Sequence, residues 1–192
     1  MLTVGANAEK VERQLSAREL ACPDCGAPLK PWGWARPRTL RGGAAAVVVV
    51  RPRRTRCLGC GVSHVLLPVF ALVRRADLAE VIGAALAAKA SGRGVRPIAV
   101  ELGRPVETVR GWLRRFGGRA ELVRARFTVL LVDVGVDPVP PAPAATAFGD
   151  AVAAVFGASV AAASRWPDVG KVSPWRMACA ASGGRLLAPS WP

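Results

Sequence analysis

The sequence predicts an α+β protein with an N-terminal four-cysteine zinc ribbon, a trihelical helix-turn-helix domain and a helical C-terminal tail. Two features predict this order. Two C-x-x-C pairs flank a segment rich in tryptophan and β-branched residues, and a pair of short helical patterns joined by a glycine follows them. We place the N-terminal helix and ribbon in residues 1–70 and the helix-turn-helix domain with its following helix in 71–135. Residues 136–192 form a proline-rich linker and an alanine-rich helical tail.

The cysteine pairs Cys22/Cys25 and Cys57/Cys60 are the strongest signal in the chain, and each is followed by a glycine. Four thiolates close one tetrahedral zinc site, so the sequence predicts one structural Zn²⁺. The 31 residues between Cys25 and Cys57 suit a β-hairpin carried between two knuckles. The glycine after the second pair lets the backbone turn so that its amides point at the sulfurs.

Other interpretations of the cysteines and the histidine are weaker. A thioredoxin-like motif uses one C-x-x-C beside a βαβ unit, and a disulfide framework belongs to small secreted chains. Cys179 lies in an alanine-rich stretch and is interpreted as a small buried apolar residue. His64, the only histidine, is interpreted as a strand residue near the site, within reach of a phosphate.

The ribbon is predicted as a hairpin running from Leu29 to Cys57. A strand through Trp32 and Trp34 and a basic strand ending at Arg41 lead to a turn at Gly42 and Gly43, and Ala46–Val50 returns. The two tryptophans are expected to pack the ribbon rather than stack on bases. A short amphipathic helix or turn is expected over residues 8–20, and an apolar strand or bridging segment over Val65–Phe70.

A helix is predicted over residues 77–90, with Asp77 as its N-cap and Gly92 as its stop. The next segment, 95–116, has the pattern of a helix-turn-helix. Ala99 is small where two helices cross, Gly103 takes the turn and Pro105 starts the second helix. Inward-facing positions of that helix are Val109, Trp112 and Leu113. A helix or strand is expected over Arg119–Val134, an alanine-rich helix over Ala145–Ala163, and a short helix from Ser173-Pro174 to Gly183-Gly184.

Basic charge is concentrated in the central hundred residues. The net charge is +14, and residues 26–76 hold ten Lys or Arg and no acid. A polyanionic partner is the simplest explanation, and duplex DNA is the predicted one. On the helix-turn-helix interpretation the second helix enters the major groove, with Val106, Glu107, Arg110 and Arg114 toward base edges. Phosphate contacts are predicted for Arg104, Arg115 and Arg119 and for the ribbon arginines Arg51, Arg53, Arg54 and Arg56.

A zinc ribbon followed by a helix-turn-helix resembles the N-terminal DNA-recognition half of several insertion-sequence transposases. More closely, the chain is similar to a small uncharacterised family of zinc-ribbon plus helix-turn-helix proteins of high-GC bacteria. The resemblance implies DNA binding in a mobile-element setting and no assigned activity. The segment after the helix pair is too short for a metal-dependent nuclease core, so no catalytic residues are carried over. The matching stretches are Cys22–Trp34, Cys57–Phe70, Val95–Phe116, 173–176 and 182–187.

The leading hypothesis is a transcription regulator or mobile-element accessory factor. The alternatives are an adaptor that binds a transposase, recombinase or polymerase through the ribbon and tail, and RNA binding. An enzyme is disfavoured because no phosphate loop or H-E-x-x-H motif is present. The apolar stretches Ala44–Val50 and Ala151–Ala163 are too short to span a bilayer. With a polar start after Met1–Gly5, they lead us to expect a soluble, cytoplasmic, nucleoid-associated protein.

Overall fold

The computed structural model describes residues 1–167 and 173–191. Its described strands and one helix lie in the first 68 residues, and the described elements after them are helices. Residues 168–172 and 192, within the predicted tail, lie outside the described part. The described strands are β1 Leu2–Val4, β2 Leu29–Trp34, β3 Arg38–Arg41, β4 Val47–Val50, β5 Arg53–Cys57 and β6 Ser63–Pro68. The described helices are α1 Ala8–Ser16, α2 Ala79–Ala90, α3 Val95–Leu102, α4 Val106–Gly117, α5 Ala120–Val134, α6 Ala147–Arg165 and α7 Pro174–Ala181.

The hairpin predicted between the cysteine pairs forms as two successive antiparallel ladders. β2 pairs with β5, placing Leu29 opposite Cys57, and β3 pairs with β4 further out, placing Arg41 opposite Val47. The turn at Gly42 and Gly43 extends through Ala44 and Ala45, which have φ of 48° and 61°. Left-handed φ values are uncommon outside glycine, so these two alanines hold the tip in a less favourable conformation.

The β2–β5 ladder belongs to a four-stranded sheet in the order β1-β6-β5-β2, and β3 and β4 form a separate two-stranded sheet. β6 pairs antiparallel with β5, and β1 adds to it in parallel with Leu2 opposite Leu66. Helix α1 begins at an Asn7 cap whose side chain accepts from the Lys10 amide at 2.9 Å. The ribbon core is made of buried residues from the helix, the sheet and the cysteine knuckles: Val11, Leu15, Cys22, Leu29, Cys57 and Leu66.

Helices α2, α3 and α4 pack together around a second apolar core. Gly103 ends α3 with φ 60° and ψ 42°, the left-handed conformation expected for the turn. Ala99 is buried at the crossing, as predicted. Along α4 the buried residues are Val109, Trp112 and Phe116, whereas Leu113, predicted to face inward, is only half-buried.

The prediction that Asp77 caps α2 is wrong. The helix begins at Ala79 after Leu78, with no side-chain cap, while Asp77 is itself buried. Its carboxylate binds two arginines instead, Arg41 from β3 and Arg104 from the turn before α4. A carboxylate committed to two guanidinium groups cannot also accept from the first amides of the helix.

The C-terminal helices share the core of α2–α5 rather than forming a separate tail. Buried side chains of α6 and α7, such as Val155 and Trp175, belong to the same cluster as Ile82, Trp112 and Phe127. Ser173 caps α7 through bonds from the amides of residues 175 and 176, as its Ser-Pro start predicts. The described parts of α6 and α7 therefore contribute to the helical core.

Helix α6 has 19 residues and is long and apolar enough to cross a membrane by length and composition alone. This corrects the expectation that its apolar stretch is too short. However, one side of α6, including Ala151, Val155 and Ala158, is buried against the rest of the helical core. Core helices of soluble proteins pass the same test, so the packing of α6 favours a soluble protein.

Candidate zinc centre and nucleic-acid surfaces

The four predicted ligands converge on one point at the end of the ribbon. The Sγ atoms of Cys22, Cys25, Cys57 and Cys60 all lie within 4.8 Å of one another. Cys22 and Cys60 are 3.8 Å apart, and Cys25 and Cys57 are 3.4 Å apart. Tetrahedral zinc with Zn–S bonds of about 2.3 Å separates its sulfurs by about 3.8 Å. The cluster therefore has the donor set and size for one metal ion, as predicted, and soft thiolates favour zinc.

The backbone of both knuckles is shaped by glycine. Gly26 and Gly61, which follow the second cysteine of each pair, have φ of 75° and 72°. A side chain at either position would be strained in this left-handed region. Within the second knuckle, the N–H groups of Gly59 and Cys60 donate to Cys57 Sγ at 3.3 and 3.4 Å.

The metal-free thiols differ sharply in acidity. Desolvation raises the pKa of Cys57, but the amide of Cys60, the thiol of Cys25 and the amide of Gly59 outweigh it and bring that pKa to about 6. The Val62 amide lowers the pKa of Cys60, but desolvation and the neighbouring thiols raise it to about 12. Four thiols this close cannot all ionise without a cation between them. A divalent ion would supply the missing positive charge.

His64 lies beside the cluster and is almost fully buried. Its Nε2 is 3.3 Å from Cys22 Sγ and 3.8 Å from an Asp24 oxygen. The expected strand position near the site is confirmed. The phosphate contact considered for it is not supported, because only 3% of this residue is exposed. An imidazole against a thiolate acts as a neighbour that orients the ligand.

Cys179 lies outside the cluster, in the helical core. It is fully buried, and its thiol donates to the Ala71 carbonyl at 3.4 Å. Burial raises the pKa of Cys179 to about 12. These features confirm its interpretation as a small buried apolar residue.

The residues predicted to face base edges lie along one exposed side of α4. Glu107 and Arg110 form an ion pair on the helix surface, with 77% and 51% of their side chains exposed. Arg114 is also exposed, one turn further on, and Val106 is half-buried at the helix start. The structure therefore brings these four residues together, and Arg110 is already oriented by a carboxylate.

The residues predicted to touch phosphate differ in availability. Only 9% of the Arg104 side chain is exposed, since it donates to Asp77 and, at 2.7 Å, to the Gly42 carbonyl. This arginine holds the fold together, so the phosphate role predicted for it is withdrawn. Arg115 is exposed and donates to the Gly111 carbonyl of its own helix. Arg119 is half-buried and donates to the Trp191 carbonyl.

Three arginines frame a groove at the C-terminal end of α4. A cavity of about 280 Å³ is lined by Arg114, Arg115 and Arg119 on one side and by 187–189 on the other. Burial and the charge of Arg115 together lower the pKa of the nearby Arg75, which donates to the Leu187 carbonyl at 3.2 Å. In the described part of the chain, none of these arginines pairs with a carboxylate.

The ribbon arginines surround two tryptophans. Arg56 lies over the Trp32 ring at 5.0 Å, and Arg53 and Arg51 lie over the Trp34 ring at 4.6 and 5.7 Å. Trp32 and Trp34 are 48% and 50% exposed, so the expectation that they pack the ribbon is wrong. Arg53 also pairs with Glu12 at 3.2 Å, whereas Arg54 is exposed.

Comparison of the chain with models of known protein families, with curated proteins and with solved structures finds no match.

Proposed function

We propose that this protein is a zinc-dependent DNA-binding protein that reads duplex DNA through a helix-turn-helix formed by α3 and α4. It would act as a transcription regulator or a mobile-element accessory factor, with no catalytic role. The observation that carries the proposal is the two-sided character of α4. Val109, Trp112 and Phe116 are buried, while Glu107, Arg110 and Arg114 face solvent on the other side. An exposed helix of this kind after a tight turn suits the major groove.

The chemistry of the exposed side supports base reading. An arginine can donate in bidentate fashion to guanine O6 and N7, and a glutamate can accept from cytosine N4. Arg110 and Glu107 are one turn apart and already paired. Contact with DNA would exchange that exposed ion pair for base contacts, at small cost because exposed pairs contribute only about 0–1 kcal/mol.

The arginine groove at the end of α4 supports phosphate contacts beside the reading positions. Arg114, Arg115 and Arg119 line it without a carboxylate partner in the described residues. Guanidinium groups at close range repel one another, and the charge of Arg115, after the larger effect of burial, lowers the pKa of the neighbouring Arg75. A phosphate oxygen in the groove would relieve this repulsion and fix the register of α4 on the duplex.

In this proposal zinc acts at a distance from the DNA-reading helix. Cys22, Cys25, Cys57 and Cys60 would hold the ion, which would cross-link the two knuckles of the ribbon. The ribbon in turn contacts the helix-turn-helix through Arg41, Asp77 and Arg104. The metal would therefore stabilise the ribbon and help position the turn before α4.

A second candidate is an adaptor that binds another protein. It is favoured by a cavity of about 630 Å³ between α5, α6 and the proline-rich segment, with an apolar lining that includes Val136, Phe156 and Val160. These residues lie among few charges, unlike the arginines of α4. An adaptor predicts protein binding that survives loss of the α4 arginines and no preference for any duplex sequence.

Salt dependence of duplex binding tests the proposal. The zinc-loaded chain and an Arg115→Ala variant are titrated with a random-sequence duplex between 50 and 200 mM salt, roughly the range over which counterion release is strong. Each lost phosphate contact should make the slope of log binding constant against log salt concentration shallower by about 0.9. Arg126→Ala, an exposed arginine of α5, is the control and should leave the slope unchanged. A salt-independent binding constant, or no duplex binding, would contradict the proposal.

A further inference from the structure

Two half-exposed tryptophans on one short strand are an unusual feature of the ribbon. Trp32 and Trp34 lie on β2, whereas Trp112, Trp175 and Trp191 are buried in the helical core. A large aromatic ring left in water forgoes the stabilisation that burial would provide, so its exposure calls for an explanation.

Arginines converge on both rings from the neighbouring strand and its preceding loop. Lys30 lies directly opposite Arg56 in the β2–β5 ladder, and Arg56 reaches diagonally over Trp32. Trp34 lies opposite Arg53, whose guanidinium also donates to the Gly33 carbonyl at 2.8 Å. We call this surface the tryptophan–arginine strip, defined by Lys30, Trp32, Trp34, Arg51, Arg53, Arg54 and Arg56.

The strip has positive charge well in excess of negative charge. Five basic residues lie on β2, on β5 or in the loop before β5, namely Lys30, Arg51, Arg53, Arg54 and Arg56, and Glu12 on α1 pairs with Arg53. The strands are held at one end by the cluster, since β5 ends at the ligand Cys57. The two rings are therefore presented on a backbone that a metal ion would make rigid.

We propose that the tryptophan–arginine strip binds single-stranded nucleic acid by stacking unpaired bases on Trp32 and Trp34. Aromatic rings interleaved with arginine are the combination that holds single strands, because each base has a flat face and each nucleotide a phosphate. A duplex keeps its bases stacked on one another and offers only their edges. The strip therefore suits unpaired DNA or RNA, which is a different ligand from the one proposed for α4.

The proposal is tested with two probes of equal length and charge: a thymidine oligonucleotide, and an oligomer of abasic deoxyribose phosphates. Both are titrated into the zinc-loaded full chain. If bases stack on the tryptophans, the thymidine oligomer should bind at least about tenfold more tightly than the abasic one. A Trp32→Ala/Trp34→Ala variant should bind both oligomers with the same, weaker affinity. Trp32→Phe should retain part of the preference, since phenylalanine keeps a stacking face.

Trp166→Ala is the matched control, because Trp166 is 49% exposed but lies at the end of α6. It should leave the preference for bases unchanged. Circular dichroism and zinc content establish that each variant is folded. Equal binding of the two oligomers by the unaltered chain, or equal losses in the Trp166 and Trp32/Trp34 variants, would overturn the proposal.

Two further measurements identify the ligand. A uridine ribonucleotide oligomer, compared with the thymidine one, shows whether RNA or DNA is the preferred source of unpaired bases. A blunt duplex separates this site from α4, because Arg110→Ala should change duplex binding and leave the base preference of single strands intact. If Trp32→Ala/Trp34→Ala lowers duplex and single-strand affinity by the same factor, base stacking is refuted and the strip contacts only phosphate.

Discussion

Arg104 donates to an Asp77 oxygen at 2.6 Å, with 9% and 3% of the two side chains exposed. Asp77 also accepts from Arg41 of β3 at 2.8 Å, and Arg104 reaches the Gly42 carbonyl at 2.7 Å. Backbone bonds run alongside, since the Arg41 amide donates to residue 76 and its carbonyl accepts from Leu78. The turn before α4 is thus tied to the tip hairpin of the ribbon through one buried carboxylate.

Replacing that carboxylate should be costly. Asp77→Asn leaves the Arg104 guanidinium buried without its counter-charge, which typically destabilises a protein by about 3–5 kcal/mol. Urea unfolding of the zinc-loaded chain measures the loss. The control is Glu101→Gln, which removes an exposed ion pair with Arg93 and should cost about 0–1 kcal/mol. Similar losses in the two variants would show that the buried pair contributes little.

Gly83→Ala should destabilise the helical core although alanine favours helices. Gly83 lies inside α2, and a Cβ there would come within 2.0 Å of the Trp175 ring of α7. The usual gain of about 1 kcal/mol from Gly to Ala in a helix is then reversed by overpacking, typically by about 1–3 kcal/mol. Thermal unfolding measures the sign. Gly117→Ala is the comparison, because it is also helical but its Cβ would meet only the edge of the Phe148 ring at 3.3 Å. A stabilised Gly83→Ala would contradict this packing.

Zinc removal should unfold the ribbon and leave most helical structure in place. Native mass spectrometry should find one zinc ion per chain, and Cys25→Ser should abolish tight binding. Cys179→Ala should keep the metal, since Cys179 lies in the helical core.

With a chelator, amide signals of residues 20–65 should collapse, because metal binding and folding of such sites are coupled. Helical circular dichroism should persist, since the core of α2–α7 contains no ribbon ligand. A metal-free native mass would refute the site.

Arg110 and Arg115 should affect DNA binding in different ways. Arg110→Ala should cost about 1–3 kcal/mol on the preferred site and relax the preference at one base position. Arg115→Ala should weaken all sequences about equally and make the salt slope shallower by about one. Fluorescence anisotropy on specific and random duplexes separates the two patterns. Identical behaviour would remove α4 from the major groove and leave the ribbon as the contact surface.

The features of the fold that depend on residue spacing and on local backbone chemistry could be predicted from the sequence. Ligand spacing located the metal cluster, and the glycine and serine signals located the turn at Gly103 and the cap at Ser173. These depend on local chemistry. Partner choice was not predictable, because the same aspartate suits a helix cap or an ion pair. Only the tertiary contact between β3 and the turn before α4 decides that Asp77 binds Arg41 and Arg104.

Exposure was the second quantity that the sequence could not supply. Trp32 and Trp34 have the residue type of a core, but the ribbon core is filled by Leu15, Leu29 and Leu66. The strand β1, three residues long, also has no periodic signal strong enough to predict it. Its place beside β6 depends on a long-range parallel pairing that a local pattern does not encode.

Random-site selection on duplex DNA, performed with the zinc-loaded chain and in parallel with Arg110→Ala, tests the central claim most directly. If α4 reads base edges, the unaltered protein should enrich one short sequence, and the variant should enrich the same sequence with one position relaxed. Enrichment of no sequence by the zinc-loaded protein, or an unaltered motif in the Arg110 variant, would contradict duplex reading by α4.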